Sequence, residues 1–354
     1  MSYAWFIPLA FGISFGLTAA LRRYAISRSL IDVPSARSSH TVATPRGGGV
    51  AIVVAFVLSL GFLYAVGLMS TAGFIAGAGA GIAIALIGFL DDHGHIAARW
   101  RLLGHFAAAA WFLAWIGGLP PMELFGFSVY LGWAGYVLAA FYLVWLLNLY
   151  NFMDGIDGIA SIEAICVCLG ACLLYWLSGL DSLIWAPLLL AASVAGFLCW
   201  NFPPARIFMG DAGSGFLGIV LGGLSLQAAW VSAPMLWAWL ILLGVFIVDA
   251  TFTLFRRLLR GDKVYEAHRS HAYQFASRRF GSHLTVTAVV AGINLLWLLP
   301  IALGVTQFGL NSGLGLILAY APLVALAIKF HAGELEAPQK KNCVTVLSFW
   351  FQCG

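Results

Sequence analysis

Acidic residues are scarce in this chain, yet they recur at the edges of its apolar runs. NFMDGIDGIA (151–160) places Asp154 and Asp157 three apart, and GFLDDHGH (88–95) pairs Asp91 with Asp92. NFPPARIFMGDAGSG (201–215) carries Asp211, and FIVDATFTLFRR (246–257) carries Asp249. A fifth segment, EAHRSHAYQ (266–274), brings His268, Arg269 and His271. Carboxylates from separate loops suit Mg²⁺, which takes oxygen ligands, keeps several waters and enters with substrate phosphates. Arginine and histidine beside them suit phosphate. The chemistry this set could do is phosphoryl transfer, in which a protein mainly positions groups and neutralises charge.

Each station also has a plainer use. Asp91 and Asp92 follow an apolar run at its C-terminal end, where the helix dipole disfavours carboxylates; Arg99 or Arg101, a divalent metal or a substrate cation would compensate. Asp154 and Asp157 share a face if the local chain is helical, and either could cap a helix. Asp211 precedes another apolar run and could cap it, or bind Mg²⁺ while backbone N–H groups face phosphate. Asp249 lies one to two turns before Arg256, a ready ion-pair partner for a costly intramembrane charge, or it supports the acidic set. His268 and His271 have a zinc-compatible spacing, but only Asp262 and Glu266 accompany them, so phosphate or nucleotide contact suits them better than a closed zinc site. In SARSSHTVATPRGGG (35–49), Arg37, His40 and Arg46 precede Gly47, Gly48 and Gly49, a flexible basic lip able to approach an anion. The Gly-Lys-Ser/Thr ending of a phosphate loop is absent, as is a dinucleotide GxGxxG after a strand. GISFG at 12–16 lies in an apolar segment without the strand–turn–helix setting that a nucleophilic Ser14 needs.

The elements that must hold these residues are membrane helices. Of 354 residues, 62% are hydrophobic and 9% charged, against about 25% charged in a soluble domain. Disorder is excluded, and the near-20-residue runs without two-residue alternation disfavour a β-barrel. Runs near 3–21, 49–67, 72–90, 105–117, 131–149, 161–177, 184–200, 213–231, 235–255, 285–303 and 311–330 predict an all-α polytopic integral membrane protein with ten or eleven transmembrane helices. With the first segment starting outside, all 18 Lys and Arg fall in or beside loops of the cytoplasmic side, and the opposite loops hold only Glu123 and Asp181. The catalytic loops are therefore expected at the cytoplasmic face. A net charge of +4 favours anionic headgroups or a phosphorylated substrate. No soluble basic domain is present to bind nucleic acid. Residues 1–330 read as one membrane domain and 331–354 as a cytoplasmic tail. The first helix reads as uncleaved. Cys166, Cys168, Cys172 and Cys199 read as core packing, and Gly73, Gly77 and Gly81 as a helix-approach series.

The ordered strings DVPSARSSHTVATPRGGG, GFLDD, NLYNFMDGIDG, NFPPARIFMGDAGS and HRSHAYQ resemble the polyprenyl-phosphate N-acetylhexosamine-1-phosphate transferase family, across residues 1–330. The resemblance implies a bacterial inner-membrane enzyme that moves a sugar 1-phosphate from a UDP-N-acetylhexosamine to undecaprenyl phosphate, releasing UMP, with a homodimer an admissible assembly. It implies Mg²⁺, with Mn²⁺ an acceptable substitute, held by Asp211 and Asp154. By the same resemblance Asp91, Asp92, Asp154 and Asp157 are catalytic acids. His40, Arg46, Asn151, Asn201, His268, Arg269 and His271 contact the donor and its phosphates, and Asp249 supports them. Direct attack of the lipid phosphate is favoured over a covalent phosphosugar, because a phosphate monoester with a second pKa near 6 is mostly dianionic at neutral pH. HRSHAYQ is most similar to the branch that starts O-antigen with an N-acetylated deoxyhexosamine, N-acetylfucosamine or N-acetylquinovosamine. UDP-N-acetylglucosamine is the alternative donor, and a lipid or sugar transporter the remote one.

Overall fold

The computed structural model describes residues 3–34, 42–94, 96–124, 127–263 and 268–334. Arg37, His40, Glu266 and the tail from 335 onward lie outside the described residues. The first half of the chain contributes α1 (Phe6–Ser27), α2 (Val50–Ala65), α3 (Thr71–His93), α4 (Ala98–Ile116), α5 (Trp133–Met153), α6 (Ile159–Leu177) and α7 (Trp185–Asn201). The second half contributes α8 (Asp211–Val231), α9 (Ala233–Leu242), α10 (Gly244–Leu259), α11 (Ala272–Phe280), α12 (His283–Ile293), α13 (Leu299–Gln307) and α14 (Ser312–Lys329). Two small antiparallel hairpins complete it: β1 (Ile31–Asp32) with β2 (Thr44–Pro45), and β3 (Met122–Leu124) with β4 (Phe127–Val129). Helices dominate because hydrocarbon offers no partner to an unpaired backbone group. Ser70, Ser282 and Asn311 open α3, α12 and α14 by accepting from the amides of Gly73, Thr285 and Leu314.

The all-α polytopic membrane architecture holds, and the helix count is corrected. Among the described residues seven helices are long and apolar enough to cross a membrane, or eight if α9 and α10 form one span. Hydropathy runs overcounted for three physical reasons. α2 has only 16 residues. α1 and α4 have the length, but α1 contains Arg22 and Arg23, and α4 opens on Arg99 and Arg101. The run at 235–255 is broken by a 70° bend between α9 and α10, which composition does not reveal.

α8 is the axis of the bundle, with 78% of its span buried, and it packs mainly on α3 and α5. Small residues allow the approach. A Cβ on Gly88 of α3 would lie 2.5 Å from the backbone of Asp211 and Ala212, so the two helices meet main chain to main chain. Gly81 of the expected helix-approach series lies against the Phe216 ring. Deeper in the bundle, the Trp239 indole donates to the Tyr175 hydroxyl at 2.7 Å. The Asn294 amide donates to Glu163 at 2.6 Å, joining α6 to the π-helical turn Asn294–Leu298.

The segment after the first hairpin is zipped to the segment before α8. Phe208 donates its amide to the Pro45 carbonyl at 2.8 Å, and Gly48 and Gly49 donate to the carbonyls of Phe208 and Met209 at 2.9 and 2.8 Å. Gly48 and Gly49 are buried, and a Cβ on Gly49 would stand 2.4 Å from the Cα of Gly213. The expected flexible lip is thus a packed strap there, and Arg46 is its cationic member.

Candidate active site

The ends of α3, α5 and α7, the start of α8 and the turn between α5 and α6 enclose a cavity of about 280 Å³. Arg46, Asp92, Asn151, Asp154, Asp157, Asn201 and Asp211 all line it. Four separated stretches of sequence thus deliver seven expected residues to one place.

Local chain geometry differs from the helical spacing argument. Asp154 follows the last residue of α5, and Asp157 sits in the turn before α6, so neither lies on a helix face and neither caps α6. Both reach the cavity because the turn ends at Gly158, whose φ of +74° is open to glycine. Asp157 is tied on several sides. Its Oδ2 accepts from the Ala205 amide at 3.1 Å, and its Oδ1 lies 3.2 Å from His283 Nδ1. Asn201 braces the same turn, accepting from the Gly158 amide and donating to the Ile207 carbonyl, each at 3.0 Å.

Asp211 is the first residue of α8, and its cap comes from elsewhere. Asp92, 6% exposed, accepts from the amides of Asp211 and Ala212 at 3.3 and 3.4 Å. The carboxylate that sits badly at the C-terminus of α3 is thereby set against the positive N-terminal pole of α8. Arg46 donates its guanidinium to the Asp92 carbonyl. Asp91 is compensated differently: Arg101 pairs with its Oδ2, and the Ile96 amide donates to Oδ1 at 2.8 Å. Arg101 also comes within 3.5 Å of Asp211. Asp91 does not line the cavity.

The side-chain carboxyl of Asp154 has no hydrogen-bonding or cationic partner among the described residues, while its amide donates to the Asn151 carbonyl at 3.4 Å. Burial, then the charges of Asp211, Asp92 and Asp157, push its carboxyl up to about 7.

The two histidines of the fifth segment are set back from this cavity, although its Gln274 lines it and its Tyr273 hydroxyl donates to the Phe152 carbonyl at 3.0 Å. His268, Arg269 and His271 do not line the cavity. His271 is 2% exposed, with Nδ1 3.3 Å from Asp249, and the His268 ring stacks on it at 4.9 Å. Burial, with His271 and Arg257 nearby, pushes His268 down to about 3, so it is neutral at physiological pH. Asp249 is not paired with Arg256, which bonds Glu334 at 2.8 Å. Instead its two oxygens accept from the amides of Ala272 and Tyr273 at 2.9 and 3.0 Å, capping α11. Asp249→Ala leaves those donors buried without acceptors, which costs about 1–3 kcal/mol. The expected results are a lower thermal midpoint and faster hydrogen exchange at Ala272 and Tyr273.

Sequence reasoning passed over Asp32, Ser214, Gln274 and His283, which also line the cavity. His283 had the signal that selected the acids, since it opens an apolar run after Gly281 and Ser282. Among the described residues no three His, Cys, Asp or Glu side chains form a ready-made metal cage.

A polytopic helical membrane protein with a carboxylate-rich cavity at its helix ends is the class these features define. Residues 74–229 match Glycosyl transferase family 4. The chain is 32% identical over 303 residues to the probable undecaprenyl-phosphate N-acetylglucosaminyl 1-phosphate transferase of Bacillus subtilis (strain 168), covering 80% of this chain and 83% of that one. It is 27% identical to the undecaprenyl-phosphate alpha-N-acetylglucosaminyl 1-phosphate transferase of Thermotoga maritima, over 79% of this chain and 84% of the relative. The decaprenyl-phosphate N-acetylglucosaminephosphotransferase of Mycobacterium tuberculosis (H37Rv) is 28% identical, over 85% of this chain and 80% of the relative. The chain belongs to glycosyl transferase family 4, among the polyprenyl-phosphate N-acetylhexosamine-1-phosphate transferases.

Proposed function

We propose that the protein transfers N-acetylglucosamine 1-phosphate from UDP-N-acetylglucosamine to undecaprenyl phosphate, releasing UMP and starting a surface polysaccharide on its lipid. The observation that carries the reading is the convergence of Arg46, Asn151, Asp154, Asp157 and Asp211 on one cavity. The choice of sugar is supported by the names of the three relatives, each of which gives N-acetylglucosamine as the sugar of the transferred phosphate. The deoxyhexosamine expectation rested on HRSHAYQ, whose His268, Arg269 and His271 stand outside the cavity wall. The one-sided distribution of Lys and Arg supports an inner membrane with the cavity at the cytoplasmic face.

The donor set fits a hard divalent cation. Its ligating groups are carboxylates, and Asp154 lacks a counter-charge where its neighbours are acidic. Mg²⁺ retains waters and commonly needs one or two protein carboxylates plus substrate phosphates, so a preformed three-residue cage is not required. Asp154 and Asp211 would hold it, with Mn²⁺ an acceptable substitute. When bound it supplies neutralisation of the pyrophosphate charge. Arg46 adds positive charge at the cavity wall, and Asn151 offers a carboxamide to a phosphate or sugar oxygen. A lipid phosphate oxygen then attacks the β-phosphorus of the donor. The new P–O bond forms as the bond to the bridging oxygen breaks, and that oxygen leaves with UMP. Asp91, engaged by Arg101 and off the cavity wall, would hold that arginine beside Asp211 rather than serve as a free base.

The test is incubation of purified protein with undecaprenyl phosphate, Mg²⁺ and a panel of UDP-N-acetylhexosamines. UMP and a pyrophosphate-linked lipid are expected with UDP-N-acetylglucosamine. Preference for a UDP-deoxyhexosamine would overturn the choice of sugar, and a burst of UMP without lipid would overturn direct displacement.

A further inference from the structure

A second cavity of about 580 Å³ adjoins the first and shares three residues with it, Asp157, Phe208 and His283. The first cavity, at about 280 Å³, lies at the lower end of the size range for small-molecule sites. A nucleotide sugar seated in the first would therefore extend past the shared wall into the second. That wall is anchored by the first two turns of α12. His283 Nδ1 stands 3.2 Å from Asp157 Oδ1 and 3.4 Å from the Asp157 amide. One turn further along, the Thr287 hydroxyl donates to the Asp157 carbonyl at 3.0 Å. With Ala205 on Oδ2, the side chain, amide and carbonyl of Asp157 are all held from outside its own turn. Such over-determination of one carboxylate is what a precise binding wall needs, since a displacement of about 1 Å is costly to a bound reactant.

Building on the function proposed above, we infer that His283 is a positioning residue: it fixes Asp157 at the boundary of the two cavities and thereby sets donor affinity. Loss of the imidazole loosens the wall that the donor crosses, while the groups at the transferring phosphorus stay in place. His283→Ala is expected to raise the donor KM about tenfold, leaving kcat within about threefold and the KM for undecaprenyl phosphate unchanged. His283→Asn, which keeps a short hydrogen-bonding side chain, recovers part of the loss. Thr287→Val, nearly isosteric, raises the donor KM by a smaller factor.

Thermal melts in detergent accompany each variant, and Thr287→Val carries the test if His283→Ala does not fold. A fall in kcat at unchanged donor KM, or no change in either constant, overturns the inference. If the wild type binds UMP yet transfers no sugar, the transferase reading fails separately. UMP binding then decides the role of His283: weaker binding to His283→Ala sustains it and equal binding overturns it. A wild type that binds no UMP overturns both.

Discussion

Asp154→Asn is expected to cut UMP release about 10³-fold, a loss of about 4 kcal/mol of transition-state stabilisation, while raising the stability of the ligand-free protein. The two effects have one cause. Asp154 is a half-buried carboxyl among acidic neighbours, and its titration is pushed from 3.8 to about 7. Below about pH 4 it is protonated in folded and unfolded chains alike and contributes nothing. As pH rises towards 7 the unfolded chain ionises freely while the folded one resists, so this group increasingly destabilises the fold. The penalty is complete above about pH 7. Asparagine removes it, so the thermal midpoint of Asp154→Asn should exceed that of wild type at pH 8 and match it near pH 4. Mg²⁺ should raise the wild-type midpoint more at pH 8 than at pH 5.5, because protons and the cation compete for the same oxygens. A midpoint gap that is the same at both pH values would contradict this account. Trading stability for function in this way is common where a site is built from mutually repelling charges.

Gly88→Ala is expected to be the most damaging single-carbon change among these predictions. Its Cβ would sit 2.5 Å from the main chain of Asp211 and Ala212, where no flexible side chain can yield. Overpacking of this kind costs about 1–3 kcal/mol. The displaced start of α8 would carry Asp211 away from Asp154, with a loss of about 10²-fold in transfer rate. Gly16→Ala in α1 is the control, since a Cβ there meets nothing within 4 Å. It should gain up to about 1 kcal/mol from helix propensity alone. Matched thermal melts and UMP assays on the two variants separate backbone contact from the generic effect of replacing a helical glycine.

Much of the site was legible because polar residues are conspicuous in so apolar a chain. Arg46, Asp92, Asn151, Asp154, Asp157, Asn201 and Asp211 could be selected on that ground and by family resemblance, and they share a cavity. What sequence could not supply was the partner of each. Asp249 has Arg256 within two turns, yet its carboxylate is taken up by the first-turn amides of α11, on the far side of the bend between α9 and α10. Asp211 sits where a cap belongs, yet Asp92 arrives from α3 to do that work. Such pairings depend on how helices cross, and one-dimensional spacing is silent about that. The helix count suffered in the same way, since hydropathy measures the content of a run and not its straightness.

The pairing of residues 45–49 with residues 208–213 also bears on biogenesis. Arg46 leaves the ribosome long before Phe208 and Met209 exist, so the strap that carries it must wait, held by its hairpin to residues 30–32, through the insertion of several intervening segments. Catalytic competence is thus acquired late in translation, and a nascent chain halted ahead of α8 would possess most of its acidic groups but no scaffold to gather them.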